Sequence, residues 1–275
     1  MFRQFVGFAQ GEIKQSSASA STFGEFGHSR RQIHRMAMLD RNTYGVCMGK
    51  NLVIIGAGPG LAAAIARRFA DAGFAIGLIA RDDAVLAELS DQLTSDGATC
   101  FVARADVTDA EELRDALDSL SALLGAPDVV LSNTSMFVEA TPTEIDPEVF
   151  ETVWRVACLS SLVALQQVVP AMRERGSGVF LMPGTPLALK PWAPGAALGS
   201  AKAAARNLVM NAGVELAPEG IHAAVITIDG VIKAGTDFDP SRIAERFFQV
   251  SALPTDQWLP EYTFSAPAST PTTLG

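Results

Sequence analysis

The chain has 275 residues, of which 48% are hydrophobic and 19% charged, and its formal net charge is -9. This length and composition suit one α/β domain with a large core. The acidic balance argues against nucleic acid or an anionic membrane as the main partner, and no apolar run approaches the ~20 residues that a membrane-spanning helix needs.

Residues 1–47 differ in composition from the rest of the chain and show no helix or strand period. Four serines lie within residues 16–21 and several arginines follow, whereas acidic residues are few. Three interpretations stay open: a disordered tail, an organellar transit peptide, or a misassigned start with the true beginning at Met48. We favour the first and third over targeting, and therefore predict a cytoplasmic protein with its domain over 48–265 and a disordered tail over 266–275.

From Asn51 onward, short apolar runs alternate with segments of helical period. The predicted strands are 52–55, 74–80, 100–103, 129–131, 179–182 and 223–228, with a candidate edge strand over 258–264. The predicted helices are 61–72, 83–95, 109–124 with Thr108 as N-cap, 147–172, 196–216 and 240–250. This alternation predicts a single Rossmann-like domain, an α/β fold whose doubly wound parallel sheet is covered on both faces. Its ligand site should lie at the carboxyl ends of the strands.

A glycine-rich loop connects the first predicted strand to the first predicted helix. It reads Gly56-Ala57-Gly58-Pro59-Gly60-Leu61. Glycines let a backbone approach a phosphate closely, and the following helix N-terminus offers free N–H groups. We therefore predict that Gly56, Gly58, Gly60 and Leu61 bind a dinucleotide; the alternative is a tight turn that binds nothing.

The residues around this loop distinguish between nucleotides. Flavoproteins that open in this way place a glycine where this chain has Leu61 and an acidic residue where it has Ala80. Here Arg81 follows the second strand, and an arginine attracts the 2′-phosphate that an acid would repel. The pattern favours NADP(H) over NAD(H), with a flavoprotein kept as a further hypothesis.

With these motifs in place, the chain resembles the short-chain dehydrogenase/reductase family over about residues 50–232. The matching positions are Gly56, Gly60 and Ala62 at the three glycines, Asp106-Val107 after the third strand, Asn133 after the fourth, and Lys202 in the fifth helix. The resemblance implies that Asp106 and Val107 contact the adenine, and that Asn133 and Lys202 also belong to the cofactor site.

The family's catalytic set is incomplete in this chain. In the family, a Ser binds the substrate carbonyl, a Tyr transfers the proton, a Lys holds the nicotinamide ribose and an Asn supports a water relay. The corresponding residues here are Thr185, Leu198, Lys202 and Ala157. The resemblance therefore implies that Thr185 and Lys202 are the remaining catalytic residues, while neither Tyr44 nor Tyr262 is expected to reach the site.

Two functions follow from this pattern of losses and retentions. We predict an NADP(H)-dependent oxidoreductase with a non-standard proton donor, which transfers hydride to a small carbonyl or related acceptor. The alternative is a degenerate NADP(H)-binding pseudoenzyme that acts as a sensor or oligomer partner.

Three cysteines without a CxxC neighbour indicate a reducing compartment, no disulfide framework and no metal site. The apolar helices 147–172 and 196–216 imply a homodimer or homotetramer by analogy with the family.

Overall fold

The computed structural model describes residues 49–266, so the predictions for residues 1–47 and for most of the C-terminal tail lie outside the described residues. The described strands are β1 (Asn51–Ile55), β2 (Ala75–Ala80), β3 (Cys100–Arg104), β4 (Val129–Ser132), β5 (Gly178–Gly184), β6 (Ile221–Ile228) and β7 (Glu261–Phe264). The described α-helices are α1 (Leu61–Ala70), α2 (Asp83–Ser95), α3 (Ala110–Leu124), α4 (Pro147–Trp154), α5 (Ser160–Arg175), α6 (Ala196–Leu216) and α7 (Pro240–Ser251).

All seven strands form one parallel sheet with the order β3-β2-β1-β4-β5-β6-β7. Every residue of β1 and of β6 is buried, as expected for strands covered on both faces. The strand order reverses between β1 and β4, which is where an open α/β sheet forms its ligand crevice. The predicted Rossmann-like fold is thus confirmed, and its crevice lies beside the glycine loop.

Aromatic packing holds the helix that follows the glycine loop. The ring of Phe69 in α1 is fully buried and meets Phe74 and Phe248 edge to face, at centroid distances of 5.1 and 5.2 Å. Such pairs contribute about 0.5–1.5 kcal/mol each beyond the area that they bury. The last turn of helix α1 is therefore packed against both the segment that enters β2 and helix α7.

The single helix predicted over 147–172 is wrong in one respect, because a π-helical turn interrupts it. Helix α4 ends at Trp154, the π turn spans Arg155–Leu159, and α5 continues to Arg175. A π turn contains one residue more than an α-helical turn, and such turns are frequent at functional sites. This one brings Ala157 and the neighbouring Cys158 into the buried interior.

By length and composition alone, the whole helical run Pro147–Arg175 would suit a membrane span, although no such segment was expected from the sequence. It has 29 residues, and its most apolar 18-residue window has a mean hydropathy of 1.3. Of that window, 61% is buried inside the protein. The apolar character is thus largely that of a core helix in an α/β fold.

The N-cap predicted for the third helix is also wrong. Helix α3 begins one residue later than expected, and Asp109 caps it by accepting hydrogen bonds from the N–H groups of Glu111 and Glu112 at 2.8 and 3.1 Å. Thr108 instead donates to Asp106. The other predicted boundaries differ from the observed ones by three residues or fewer, and the candidate edge strand shortens to β7.

Candidate functional site

The residues assigned from the sequence to cofactor binding or catalysis meet along the carboxyl edge of the sheet. They are Gly56, Gly58, Gly60 and Leu61 after β1, Arg81 after β2, Asp106 and Val107 after β3, Asn133 after β4, Thr185 after β5, and Lys202 in α6. Carboxyl ends of parallel strands lie side by side, so this edge forms one continuous crevice.

The glycine loop is built on a backbone conformation that requires glycine. Gly56 has a φ of +83°, and a Cβ there would approach the carbonyl carbon of Asn133 to 3.0 Å. The N–H groups of Gly56 and Ala57 both donate to the Ile79 carbonyl at 2.9 Å. The loop therefore turns sharply away from β1 while staying attached to β2.

Asn133 acts on this loop rather than pointing away from it. Its backbone N–H donates to the Ile55 carbonyl at 2.8 Å, and its side-chain amide donates to the Gly56 carbonyl at 2.9 Å. Asn133 therefore positions the loop. Its second amide N–H and its amide oxygen have no partner within residues 49–266, so its predicted contact with the cofactor stays a prediction.

The start of α1 leaves hydrogen-bond donors and space for an anion. The cap position is Gly60, which has no side chain to satisfy the first N–H groups, and those of Leu61 and Ala62 have no acceptor among the described residues. A Cβ on Gly58 would meet no atom within 4 Å. Free donors, the positive end of the helix dipole and open space fit the pyrophosphate of a dinucleotide.

Charged side chains follow β2 and β3 at the same edge. Asp106 accepts hydrogen bonds from the Thr108 N–H at 2.9 Å and from its hydroxyl at 2.8 Å. The backbone bond contributes most to holding the pKa of Asp106 below its ordinary value, and the charges of Arg81 and Arg104 lower it further. Arg81 is exposed and has no ion pair or hydrogen bond within residues 49–266. Val107 lies beside Asp106 and is half-buried.

Lys202 is buried in the protein rather than solvated at its surface. It is 5% exposed, and its Nζ donates to the carbonyl oxygens of Thr134 at 3.0 Å and of Pro183 at 3.4 Å. Burial lowers the pKa of Lys202 to about 8, and the charge of Cys158 acts in the opposite direction. Neither carbonyl had a sequence signal, because every residue carries one.

Two pairs of hydroxyl groups position the backbone that holds Lys202. The Thr134 and Ser160 hydroxyls lie 2.9 Å apart, as do those of Ser132 and Ser161, and all four residues are buried. Hydrogen bonding offsets the cost of burying these groups. They connect the end of β4 to the start of α5, and so fix the Thr134 carbonyl beneath Lys202.

The Asn position of the family is enclosed by hydrocarbon. Ala157 is fully buried in a cluster with Val153, Ala197 and Ala201, against which the partly buried Met136, Val138 and Ile145 pack. The side chains in this cluster carry no hydrogen-bonding group apart from the weak thioether acceptor of Met136. A chain of water molecules needs polar partners, and the side chain at position 157 supplies none for the family's relay.

The remaining candidates for proton transfer differ in position. Leu198 is 9% exposed, one helical turn before Lys202. Thr185 is half-buried at the end of β5, and its oxygen accepts from the Leu187 N–H at 3.4 Å, which leaves its proton available. Ser200 is exposed. The hydroxyl of Tyr262 is held at 2.8 Å by the Leu259 N–H, beside the first residues of β6, so this tyrosine is remote from the carboxyl edge, as expected.

Two loops beyond the strand ends are joined to each other. The Ala140 N–H donates to the Pro194 carbonyl at 3.0 Å, and the rings of Phe137 and Trp192 stack with centroids 6.1 Å apart. These loops extend from the Thr134 and Pro183 carbonyls that hold Lys202. They therefore meet beyond the carboxyl ends of β4 and β5, on the Lys202 side of the site.

A comparison with known proteins agrees with this architecture. The family model described as short chain dehydrogenase matches residues 50–242. An uncharacterized oxidoreductase of Staphylococcus epidermidis is 27% identical over 192 residues, 69% of this chain and 82% of the relative. An NADP-dependent 3-hydroxy acid dehydrogenase of Shigella flexneri is 27% identical over 214 residues, covering 74% of this chain and 84% of the relative.

Solved structures share the fold. An NADPH-bound short chain oxidoreductase from Pseudomonas aeruginosa PAO1, described as containing an atypical catalytic center, superposes with a TM-score of 0.73. It is 21% identical, and the match covers 82% of this chain and 98% of that one. At this identity the likeness concerns the fold alone.

Proposed function

Because this chain belongs to the short-chain dehydrogenase family, we propose that it is an NADP(H)-dependent oxidoreductase with a non-standard proton donor. Its substrate is a small carbonyl compound or a related electrophilic acceptor. The observation that carries the proposal is the buried Lys202, anchored on two carbonyl oxygens at the same sheet edge as the open glycine loop. A buried ammonium group costs free energy, so its retention without a carboxylate partner favours a functional role.

Different residues of the crevice would bind different parts of the cofactor. The N–H groups at the start of α1 would hold the pyrophosphate, Asp106 and Val107 the adenine, and Lys202 the nicotinamide ribose. When bound, the cofactor supplies the hydride. Thr185 would donate its free hydroxyl proton in a hydrogen bond to the substrate oxygen, which orients the carbonyl without supplying a strong acid.

We propose NADP(H) as the preferred cofactor on the basis of Arg81. Its guanidinium group is exposed after β2 and makes no ion pair with any residue from 49 to 266. The 3-hydroxy acid dehydrogenase relative is NADP-dependent, and the Pseudomonas structure contains NADPH. Both agree with a 2′-phosphate beside Arg81, since a guanidinium binds phosphate through several donors.

Arg81→Ala is expected to weaken NADPH binding by about 10–100-fold, because a hydrogen bond to a charged group contributes about 1.5–3 kcal/mol. NADH binding should stay within about twofold, since NADH lacks the 2′-phosphate. Both affinities can be measured by quenching of tryptophan fluorescence. Arg67→Ala is the matched control, because this exposed arginine lies in the last turn of α1, away from the crevice. Equal losses for NADPH and NADH would contradict the assignment.

The oxidoreductase itself is tested by NADPH oxidation against a panel of reactive dicarbonyls and quinones. We expect turnover that Lys202→Ala abolishes, because the variant loses both the ribose contact and the buried cation. Such acceptors are the appropriate probes, since their electrophilic centres accept hydride most readily. Tight NADPH binding without turnover on any of them would exclude the enzyme.

That outcome would favour the second candidate function, a pseudoenzyme that binds NADP(H) as a sensor or oligomer partner. The specific observation behind it is that Ala157, packed in hydrocarbon, and Leu198 stand where the family has two of its proton-transfer groups. The glycine loop, Asp106 and Lys202 would then serve binding alone.

A further inference from the structure

We propose that Lys202 is itself the general acid of the reaction, and that its ammonium group donates the proton taken up by the substrate oxygen. The inference rests on the proposed function, because it concerns the proton that must accompany carbonyl reduction. It assigns to Lys202 the transfer that a phenol performs in the family.

The first support is the exclusion of other acids at the carboxyl edge. Leu198 has no proton to donate, and Ala157 is enclosed in hydrocarbon. Thr185 is an alcohol and therefore a weak acid. Within residues 49–266 its hydroxyl oxygen accepts only from the Leu187 N–H, so no side chain resupplies it with a proton. Among the described residues assigned to catalysis at this edge, Lys202 is the one that carries a positively charged proton donor.

The second support is the geometry of the Lys202 bonds. An ammonium group has three N–H donors, and two of them are used by the carbonyl oxygens of Thr134 and Pro183. The third has no acceptor within residues 49–266, and we assign it to the substrate oxygen at the moment of transfer, in place of the ribose contact that the resemblance implies. A neutral amine retains two N–H bonds, so Lys202 can lose this third proton while both anchors remain in place. The side chain is therefore held by the same contacts before and after the transfer.

The third support is the electrostatic environment of the group. Burial disfavours the ammonium form, which brings the pKa of Lys202 to about 8. Cys158, in the π turn, is the one described titratable group whose ionised form would raise the pKa of Lys202. Burial raises the pKa of that thiol, so it is neutral near pH 7. An acid whose pKa lies near the working pH is protonated there and still transfers its proton readily.

The proton and electron balance is complete with the reactants already named. As the carbonyl carbon receives hydride from the reduced nicotinamide, the π electrons of the C=O bond move to oxygen. The third N–H bond at Nζ breaks with its electrons remaining on nitrogen, and a new O–H bond forms. The products are the alcohol, the oxidised nicotinamide and a neutral Lys202 amine, which recovers a proton from water.

The test is an NMR titration of the full chain labelled with ¹³C-lysine, with and without NADPH. The sequence has five lysines, so the signals are few, and Lys202→Arg identifies the one of interest by its disappearance. We expect the Lys202 signal to titrate near pH 8, whereas exposed lysines titrate near their ordinary value of ~10.4. In the same protein, kcat should fall as the pH rises through the Lys202 titration, because the acid must be protonated.

Lys202→Arg tests the positive charge and the proton transfer at position 202 separately. Arginine keeps the positive charge and donates to carbonyls but does not release its proton at accessible pH, so NADPH binding should persist while kcat falls by about 10²–10⁴-fold. Lys50→Arg, an exposed lysine before β1, is the matched control. Turnover retained in Lys202→Arg, or a wild-type kcat independent of pH across the Lys202 titration, would overturn the role of Lys202 alone. Absence of wild-type turnover on every acceptor would instead remove the proposed function, and this role with it.

Discussion

Gly56→Ala will unfold at a lower urea concentration than the wild type, whereas Gly58→Ala will not, although both variants will bind NADPH more weakly. At Gly56 the φ of +83° is unfavourable for any residue with a Cβ, at about 1–2 kcal/mol. The new methyl group also lies 3.0–3.1 Å from the backbone of Asn133 and Thr134. Neither backbone segment yields easily, because Asn133 is bonded to both Ile55 and Gly56.

Gly58 differs in that an added Cβ meets no protein atom within 4 Å. Its methyl group would occupy the space in which we place the pyrophosphate, so its effect should appear in binding and not in stability. A loss of about tenfold in NADPH affinity corresponds to roughly 1.4 kcal/mol. Urea unfolding and fluorescence titration, using Trp154 and Trp192 as reporters, measure the two effects separately.

Gly73→Ala is the matched control for backbone strain. Gly73 has the same φ of +83°, but an added Cβ there meets no atom within 4 Å, and it lies in the turn between α1 and β2, away from the crevice. It should therefore lose stability through its conformation alone and leave NADPH affinity unchanged. A Gly58→Ala variant that binds NADPH as tightly as the wild type would show that the loop is a structural turn without phosphate contact.

The fold was predictable because its determinants are local and repeated. Apolar runs such as Leu52–Ile55 and the helical spacing of 83–95 specify element type without reference to the rest of the chain. The glycine loop is equally local, since its backbone conformation depends on glycine itself. The π turn at Arg155–Leu159 was not predictable, because a one-residue change in helical register arises from how α4 and α5 pack against the sheet.

The chemistry of the site was predictable only in part, for a different reason. Lys202 and Thr185 are visible as residue types, but the acceptors of Lys202 are the backbone carbonyls of Thr134 and Pro183. Backbone groups have no sequence signature, and their position depends on buried hydroxyl contacts such as that of Thr134 with Ser160. For the same reason the engagement of the Asn133 amide by Gly56 became apparent only in the folded chain.

Leu198→Tyr is expected to raise kcat on simple ketones by up to about 10²-fold, the lower end of the usual contribution of a positioned general acid, because Lys202 already supplies a proton. Position 198 lies four residues before Lys202, so the two side chains share one face of α6. A phenol there would be near the Lys202 cation, which favours the phenolate form and so makes the hydroxyl a better acid. The measurement is NADPH oxidation with an unactivated ketone, compared with a reactive dicarbonyl.

Leu198→Phe is the matched control, because it adds the same ring without the hydroxyl group. If a phenol at position 198 is a better proton donor than the Lys202 ammonium, the tyrosine variant gains on simple ketones, the phenylalanine variant does not, and the reactive dicarbonyl shows little change in either. Equal rates for the two variants would mean that the ring reshapes the crevice without restoring proton transfer. Combining Leu198→Tyr with Lys202→Arg extends the test. Arginine still supplies a cation beside the phenol, and the proton then comes from the phenol and not from position 202. The double variant should therefore recover much of the activity that Lys202→Arg alone loses.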